Sequence, residues 1–256
     1  MIFDYYYANP TGNITLLVET PVERGSQPFV ASRLMEAEPT AEQVGFIEKN
    51  GDDFHLQMAG GEFCGNASMS AACVYCLENG IEKGKISISV SGCDEKISVN
   101  AEKKGEIYFA DVEMPAADEI TGVALPLYEN GSITLPVVKK PGVFHLICEK
   151  DFSVDEAEKN ISRWCSLLGA DCLGFMLLKS NSLLPLVYVP GANTLFRESS
   201  CASGTTAVGE YLCRKEGRDV EIELEQPGGV LKIKAGQNKN PVLSGKVTLC
   251  KKKIIL

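Results

Sequence analysis

The chain contains itself twice. Laying residues 61–80 over 198–217 with Cys64 on Cys201 places Cys76 on Cys213 and Gly80 on Gly217. Each copy reads as a cysteine, two or three small residues, a helical stretch, and a glycine where a helix would end on a left-handed residue. The sequels match as well. After Gly80 come Ile86-Ser-Ile-Ser-Val90, a turn at Ser91-Gly92 and Lys96-Ile-Ser-Val99; after Gly217 come Val220-Glu-Ile-Glu-Leu224, a turn at Pro227-Gly228-Gly229 and Val230-Leu-Lys-Ile-Lys234. Both are period-two hairpins. Upstream, Gly45-Phe46-Ile47 and Gly174-Phe175-Met176 look alike, but the second lies several residues further ahead of its cysteine and carries little weight. Each repeat with its flanking strands is too long for a solenoid unit. The expectation is two similar α+β domains, residues 1–117 and 118–256, joined near Pro115 to Thr121 and related by a pseudo-twofold.

A chain of 256 residues can bury a substantial core in either arrangement. With 45% hydrophobic and 23% charged residues and no apolar run near 20 residues, it reads as an ordinary globular protein without a membrane span. The start, Met-Ile-Phe-Asp-Tyr-Tyr-Tyr, has no secretory pattern, which places the protein in the cytoplasm. A net charge of −9 argues against nucleic acid as a partner, because that binding relies on clustered Lys and Arg. The Lys251-Lys252-Lys253 run reads as a solvated end. Ten cysteines without an export signal indicate reduced thiols, so the question is which are reactive.

A pseudo-twofold brings equivalent positions face to face when the copies pack through the same surface. Cys64 and Cys201 would then meet, each at the start of a buried helix. Both sit among residues that expose the backbone, Gly65-Asn66 and Ala202-Ser203-Gly204-Thr205. Inverting an amino acid requires removing an α-proton from one face and delivering another to the opposite face. Two cysteines suit this, since a reference pKa of about 8.5 can be drawn toward neutrality by a helix N-terminus, letting one thiolate and one thiol coexist. The charge that develops on the α-carboxylate needs preorganised N–H donors, and a helix start supplies them. Gly65, Asn66, Ser203, Gly204 and Thr205 offer two such sites. Asn13, in a Gly-Asn turn, could contact substrate, and Glu198 could receive its ammonium group. Cys73 and Cys76 lie well along the helix and read as core, and His145 reads as a core or rim residue outside the catalytic set.

These motifs resemble the diaminopimelate epimerase-like superfamily across nearly the whole chain. Asn9-Pro-Thr-Gly-Asn13 resembles its N-terminal Gly-Asn segment, Glu62-Phe-Cys64-Gly65-Asn66 its first catalytic motif, and Ser200-Cys201-Ala-Ser203-Gly204-Thr205 its second; Val112-Glu-Met-Pro115 is similar to the strand closing the first domain. The resemblance implies two barrel-like β domains, each wrapped around a central helix, and two-base chemistry without pyridoxal phosphate. It also implies a homodimer. Diaminopimelate epimerases carry an Asn-Pro-His segment and a Glu-Arg-Gly segment before the second cysteine. This chain has Pro141-Gly-Val-Phe-His145 and Ala192-Asn193-Thr194 instead, with Arg197 as the nearby substitute. A missing guanidinium removes the bidentate partner of a distal carboxylate. The Glu-Ser-Ser-Cys-x-Ser-Gly-Thr-Thr-Ala signature is closer to the branch that includes histidine racemases, so histidine leads as substrate and diaminopimelate follows.

Two other classes compete. A cysteine hydrolase would use Cys201 as nucleophile and His145 as base, but it has no use for a cysteine at the mirrored position. A zinc module built on Cys64, Cys73 and Cys76 lacks a second Cys-x-x-Cys. No P-loop, dinucleotide fingerprint or His-Glu-x-x-His occurs, so neither cofactor nor metal is expected.

Overall fold

Period-two runs of β-branched and aromatic residues become strands throughout both halves. A computed structural model describes residues 1–50 and 53–256. The fold is α+β, with two units: residues 1–113 with 243–256, and residues 114–242.

The first unit contains β1 (Ile2–Pro10), β2 (Thr15–Val18), α1 (Gln27–Ala37), β3 (Gln43–Asn50), β4 (Asp53–Met58), α2 (Gly65–Glu78), β5 (Lys83–Val90), β6 (Ile97–Lys104) and β7 (Ile107–Glu113). The second contains β8 (Glu119–Pro126), β9 (Ser132–Lys140), β10 (Val143–Cys148), α3 (Val154–Glu158), α4 (Ile161–Leu168), β11 (Leu173–Lys179), β12 (Ser182–Val189), β13 (Thr194–Arg197), α5 (Ala202–Glu216), β14 (Val220–Gln226) and β15 (Gly229–Ala235). A final strand, β16 (Val242–Ile255), belongs to the first unit from Leu243 onward. There the sheet runs β1-β2-β3-β4-β5-β6-β7-β16, and β16 pairs back onto β1 from Ile2 opposite Ile255 to Pro10 opposite Val247. This closes the sheet into a barrel. The expected division assigned residues 243–256 to the second domain; the ladder with β1 assigns them to the first.

The Lys251–Lys253 run lies at the surface, as expected of solvated lysines, but on a paired strand. Lys251 pairs with Glu19, Lys252 with Glu38 and Lys253 with Asp4, while Lys251 and Lys252 stand 5.0 and 4.2 Å from the ring centres of Tyr6 and Tyr7. Exposed pairs of this kind each add little to stability; the ladder and the apolar residues under it do more.

The two units share one topology. β1/β2, β3/β4 and β5/β6 pair antiparallel, and β2/β3 and β4/β5 parallel. In the second unit β9/β10, β11/β12 and β14/β15 are antiparallel, and β10/β11 and β12/β14 parallel. Gly45 lies between Leu17 and Met58 in its ladder, and Gly174 between His145 and Val187. The Gly-Phe pairs are thus equivalent. The extra spacing before Cys201 is taken up by a short 3-10 turn, Pro190–Ala192, and by β13, which pairs with β12 and has no counterpart in the first unit.

Each sheet wraps one helix. Helix α2 packs against β1, β2, β4, β5, β6 and β7, and α5 against β9, β10, β11, β14 and β15. A helix surrounded by strands must be narrow and buried all round, which explains the run of Ala, Ser, Gly and Thr. Its hydroxyls return to the helix backbone: Ser68 donates to the Cys64 carbonyl at 2.7 Å, Ser70 to Asn66 at 2.9 Å and Thr206 to Ala202 at 2.8 Å. Both helices end at the expected glycines, Gly80 and Gly217, each with positive φ. Other helices cover the outer faces. Val30, Ala31 and Leu34 of α1 pack on Leu16, Val44 and Phe46, and Trp164 of α4 packs with Phe175, Leu146 and Leu173. With both faces covered, β11 is buried along almost its whole length. No helix among the described residues is long and apolar enough to cross a membrane.

His145, opposite Gly174, is fully buried, and neither ring nitrogen has a hydrogen-bond partner. Burial, reinforced by the nearby Lys140 charge, lowers its pKa from 6.5 to about 3. The imidazole therefore folds in neutral, and the unfolded chain takes up a proton that the folded chain refuses. Stability is complete above pH 6.5 and falls as the pH drops from there toward 3.

Two outcomes follow. Truncation after Val242 opens the first barrel, and calorimetry should show its cooperative transition lost; a melting curve like that of the full chain would contradict the closure. His145→Leu, which installs the residue that Leu17 provides in the first unit, should abolish a loss of roughly 2 to 3 kcal/mol between pH 7 and 4.5. Urea unfolding followed by fluorescence of Trp164, the sole tryptophan, measures this, and an unchanged pH slope would refute it.

Candidate active site

Both helices that run inside the sheets begin at a cysteine. Cys64 caps α2 with φ −132° and ψ 115°, and Cys201 caps α5 with φ −118° and ψ 107°. In each case the sulfur accepts the backbone N–H three residues on: Ala67 at 3.4 Å and Gly204 at 3.3 Å. Each cysteine carbonyl receives the amide of the fourth residue, Ser68 or Thr205, at 2.9 Å. Helix caps favour Ser, Thr, Asp and Asn, whose oxygens accept such bonds better than sulfur. Capping alone does not explain cysteine at the same position twice.

The surroundings of the two sulfurs differ. Cys64 is half-buried, and its thiol donates to Gln43 Oε1 at 3.1 Å. Gln43 Nε2 in turn donates to Asn13 Oδ1 at 2.6 Å and to Thr15 Oγ1 at 2.8 Å, and Asn13 Nδ2 donates to Glu42 Oε2 at 2.5 Å. The sequence reading missed Gln43. Its only signal is a polar pair, Glu42-Gln43, opening a buried strand, and the parallel register that sets Gln43 beside Thr15 is not local information.

Cys201 is 4% exposed. Burial pushes its pKa well above the ordinary thiol value, and the charge and hydrogen bond of Glu198 push the same way; the Ser203 hydroxyl and the Gly204 amide oppose this without prevailing. The expectation that a helix start draws both thiols toward neutrality therefore does not hold for Cys201, which rests as the thiol. The Cys201 N–H donates to Gln226 Oε1 at 2.8 Å, and Gln226 Nε2 donates to the hydroxyl of the fully buried Thr205 at 2.9 Å. A Cβ at Gly204 would stand 2.2 Å from Met176 Sδ and 3.1 Å from Cys201 Sγ, so only glycine fits between them.

Of the residues assigned to substrate, Gly65 and Asn66 open α2, both buried, and half-buried Ser203 lies 3.5 Å from the Cys201 sulfur. The amides of Gly204 and Thr205 are engaged with Cys201 itself, as those of Ala67 and Ser68 are with Cys64. Glu198 lies against Cys201. Arg197 is bound at 2.5 Å to both Asp155 and Glu158.

The hydrolase alternative requires a hydrogen-bonded Cys201–His145 pair. His145 makes no hydrogen bond through either nitrogen, and the Met176 side chain reaches both the Gly174 backbone beside it and Gly204 beside Cys201. No such pair forms. Cys73 and Cys76 are buried in α2, and burial pushes both thiols up, as core residues require. No disulfide forms among the described residues.

Comparison with known proteins agrees with this geometry. Over 242 residues the chain is 33% identical to a histidine racemase of Fusobacterium nucleatum, covering 90% of this chain and 88% of the relative. It is 28% identical over 247 residues to a histidine racemase of Staphylococcus aureus, covering 91% and 88%. A solved structure from Pseudomonas aeruginosa, described as a predicted epimerase, superimposes with a TM-score of 0.74 at 12% identity, covering 98% of each chain. Residues 2–250 match the family model described as the histidine racemase CntK N-terminal domain. The protein is an isomerase, and it belongs to that family.

Proposed function

We propose that the protein inverts the α-carbon of an amino acid by proton exchange with Cys64 and Cys201, without a cofactor, and that histidine is its substrate. The observation that carries this reading is the repeated cap: two topologically equivalent helices, each opening on a cysteine whose sulfur receives a helix amide. One sulfur, as thiolate, takes the α-proton while the other, as thiol, delivers a proton to the opposite face. The roles reverse for the other enantiomer. Because Cys201 rests as the thiol, it is the acid of the first turnover that begins from a Cys64 thiolate.

The α-carboxylate, which receives the carbanion's charge, is held by the first amides of the two helices. Gly65 and Asn66 serve on one side and Ser203 on the other, while Gly204 and Thr205, whose amides are engaged with Cys201, shape the second helix start behind it. Helix starts stabilise anions through their amides and the dipole. Glu198 receives the ammonium group, and Asn13 orients the substrate beside Cys64. The committed ion pairs of Arg197 leave diaminopimelate's distal carboxylate without a guanidinium there, and the names of the relatives favour histidine. The same reading takes the enzyme to be a cytoplasmic homodimer, as the superfamily resemblance implies.

The test is to incubate L- and D-histidine, within a wider amino-acid panel, in D₂O and follow the α-proton by NMR. Early product should carry solvent deuterium while remaining substrate stays protonated. Cys64→Ser and Cys201→Ser should each reduce the rate by roughly 10²- to 10⁴-fold. Racemisation that survives Cys64→Ser would sink the two-base reading, and silence across the panel would sink the reaction class.

A further inference from the structure

We propose that Gln43 is a positioning residue for Cys64: its side-chain carbonyl, locked in one orientation by Asn13 and Glu42, holds the thiol proton. The inference rests on the two-base reading only for its catalytic consequence. The geometry is local to the first unit.

The orientation of a glutamine amide is normally ambiguous, since oxygen and nitrogen exchange places when it flips. Here the chain of partners removes the ambiguity. The Glu42 carboxylate only accepts, so the Asn13 atom 2.5 Å from it is the NH₂ group. Asn13 must then turn its oxygen toward Gln43, and that oxygen only accepts as well. Gln43 answers with its NH₂ at 2.6 Å. The same NH₂ donates to Thr15 Oγ1, whose own proton goes to the backbone carbonyl of Asn13 at 3.2 Å. What remains for Cys64 is the Gln43 carbonyl oxygen, 3.1 Å from the sulfur. A carboxylate two residues removed through space thereby dictates that the thiol meets an acceptor and not a donor.

An acceptor bonds to the S–H form and repels a thiolate, so Gln43 favours the protonated sulfur and opposes the Ala67 amide, which favours the anion. That opposition has a use in a reversible two-base enzyme. Cys201 is held strongly as a thiol by burial and Glu198. A Cys64 that shed its proton far more readily would stall as a thiolate and could not return a proton when the reaction runs the other way. By favouring the protonated Cys64, Gln43 brings the pair closer in acidity, so that the two enzyme forms that start the two directions are both populated. In the second unit the position equivalent to Gln43 is Cys172, and the glutamine there, Gln226, holds the backbone of Cys201 instead of its sulfur. The Glu42 carboxylate, next in the chain to Gln43, is held at Asn13, and Glu62, two residues before Cys64, is exposed.

The test is the pH dependence of Cys64 alkylation by iodoacetamide in the full-length protein, resolved by peptide mass spectrometry. Gln43→Met should move the Cys64 titration down by about one pH unit, the size expected for one lost hydrogen bond. Gln43→Glu should move it up. Glu42→Gln, which releases Asn13 and hence the amide orientation, should move it down by a smaller amount, and it decides the matter alone if Gln43→Met does not fold. The kcat/KM profiles in both directions should shift along the pH axis with the thiol, whereas a merely structural residue would lower kcat without moving either limb. A Cys64 titration that stays in place in the folded variants overturns the proposal. If the titration moves but Cys64→Ser still racemises, the positioning role stands and the two-base reading falls.

Discussion

The structure depends on enclosing a helix inside a curved sheet, once in each half of the chain. A helix enclosed by strands cannot carry bulky side chains, and its first amides cannot be left to water on every side. Small residues solve the first problem and a side-chain cap solves the second. The choice of cysteine for that cap places a polarisable, titratable atom where the helix presents its positive end. Fold and reactive group thus share one constraint, and moving either cysteine by a residue would spoil both.

Sharing a cap does not make the two thiols alike. One is half-open to its surroundings and meets an amide carbonyl; the other is sealed beside a carboxylate. The two units share their backbone geometry but differ at equivalent positions, Gln43 against Cys172 and Leu17 against His145, and of these Gln43 is hydrogen-bonded to one of the two sulfurs. Arg197 shows the same divergence on an insertion that only the second half has, where it ties β13 to α3 through Asp155 and Glu158.

Much of this was legible before any coordinates. The Cys-to-Gly spacing set both helix ends, and period-two alternation after each glycine located the hairpins, because these features are written in adjacent residues. What escaped was non-local. That residues 247–255 pair with residues 2–10 depends on which edge of the first sheet is left open, and no local pattern records that. Gln43 reaches Cys64 through a parallel ladder between distant segments. The acidity of Cys201 turned on burial and on Glu198 folding back toward it, so an argument from helix polarity alone pointed the wrong way. The Gly-Phe equivalence was visible but discounted, since an inserted strand had stretched the spacing that would have confirmed it.

The ladder between β1 and β16 also fixes the order in which the molecule can be made. Chains leave the ribosome from the N-terminus at about 5–20 residues per second, and domains usually fold as they emerge. Here the second unit, residues 114–242, is entirely outside before the first unit receives its closing strand. The half that emerges first is therefore completed last, and its unsealed strand edges stay exposed to aberrant pairing while the other half matures. Nascent chains of this architecture should be most vulnerable to misassembly during that interval, and chaperone protection would matter most there.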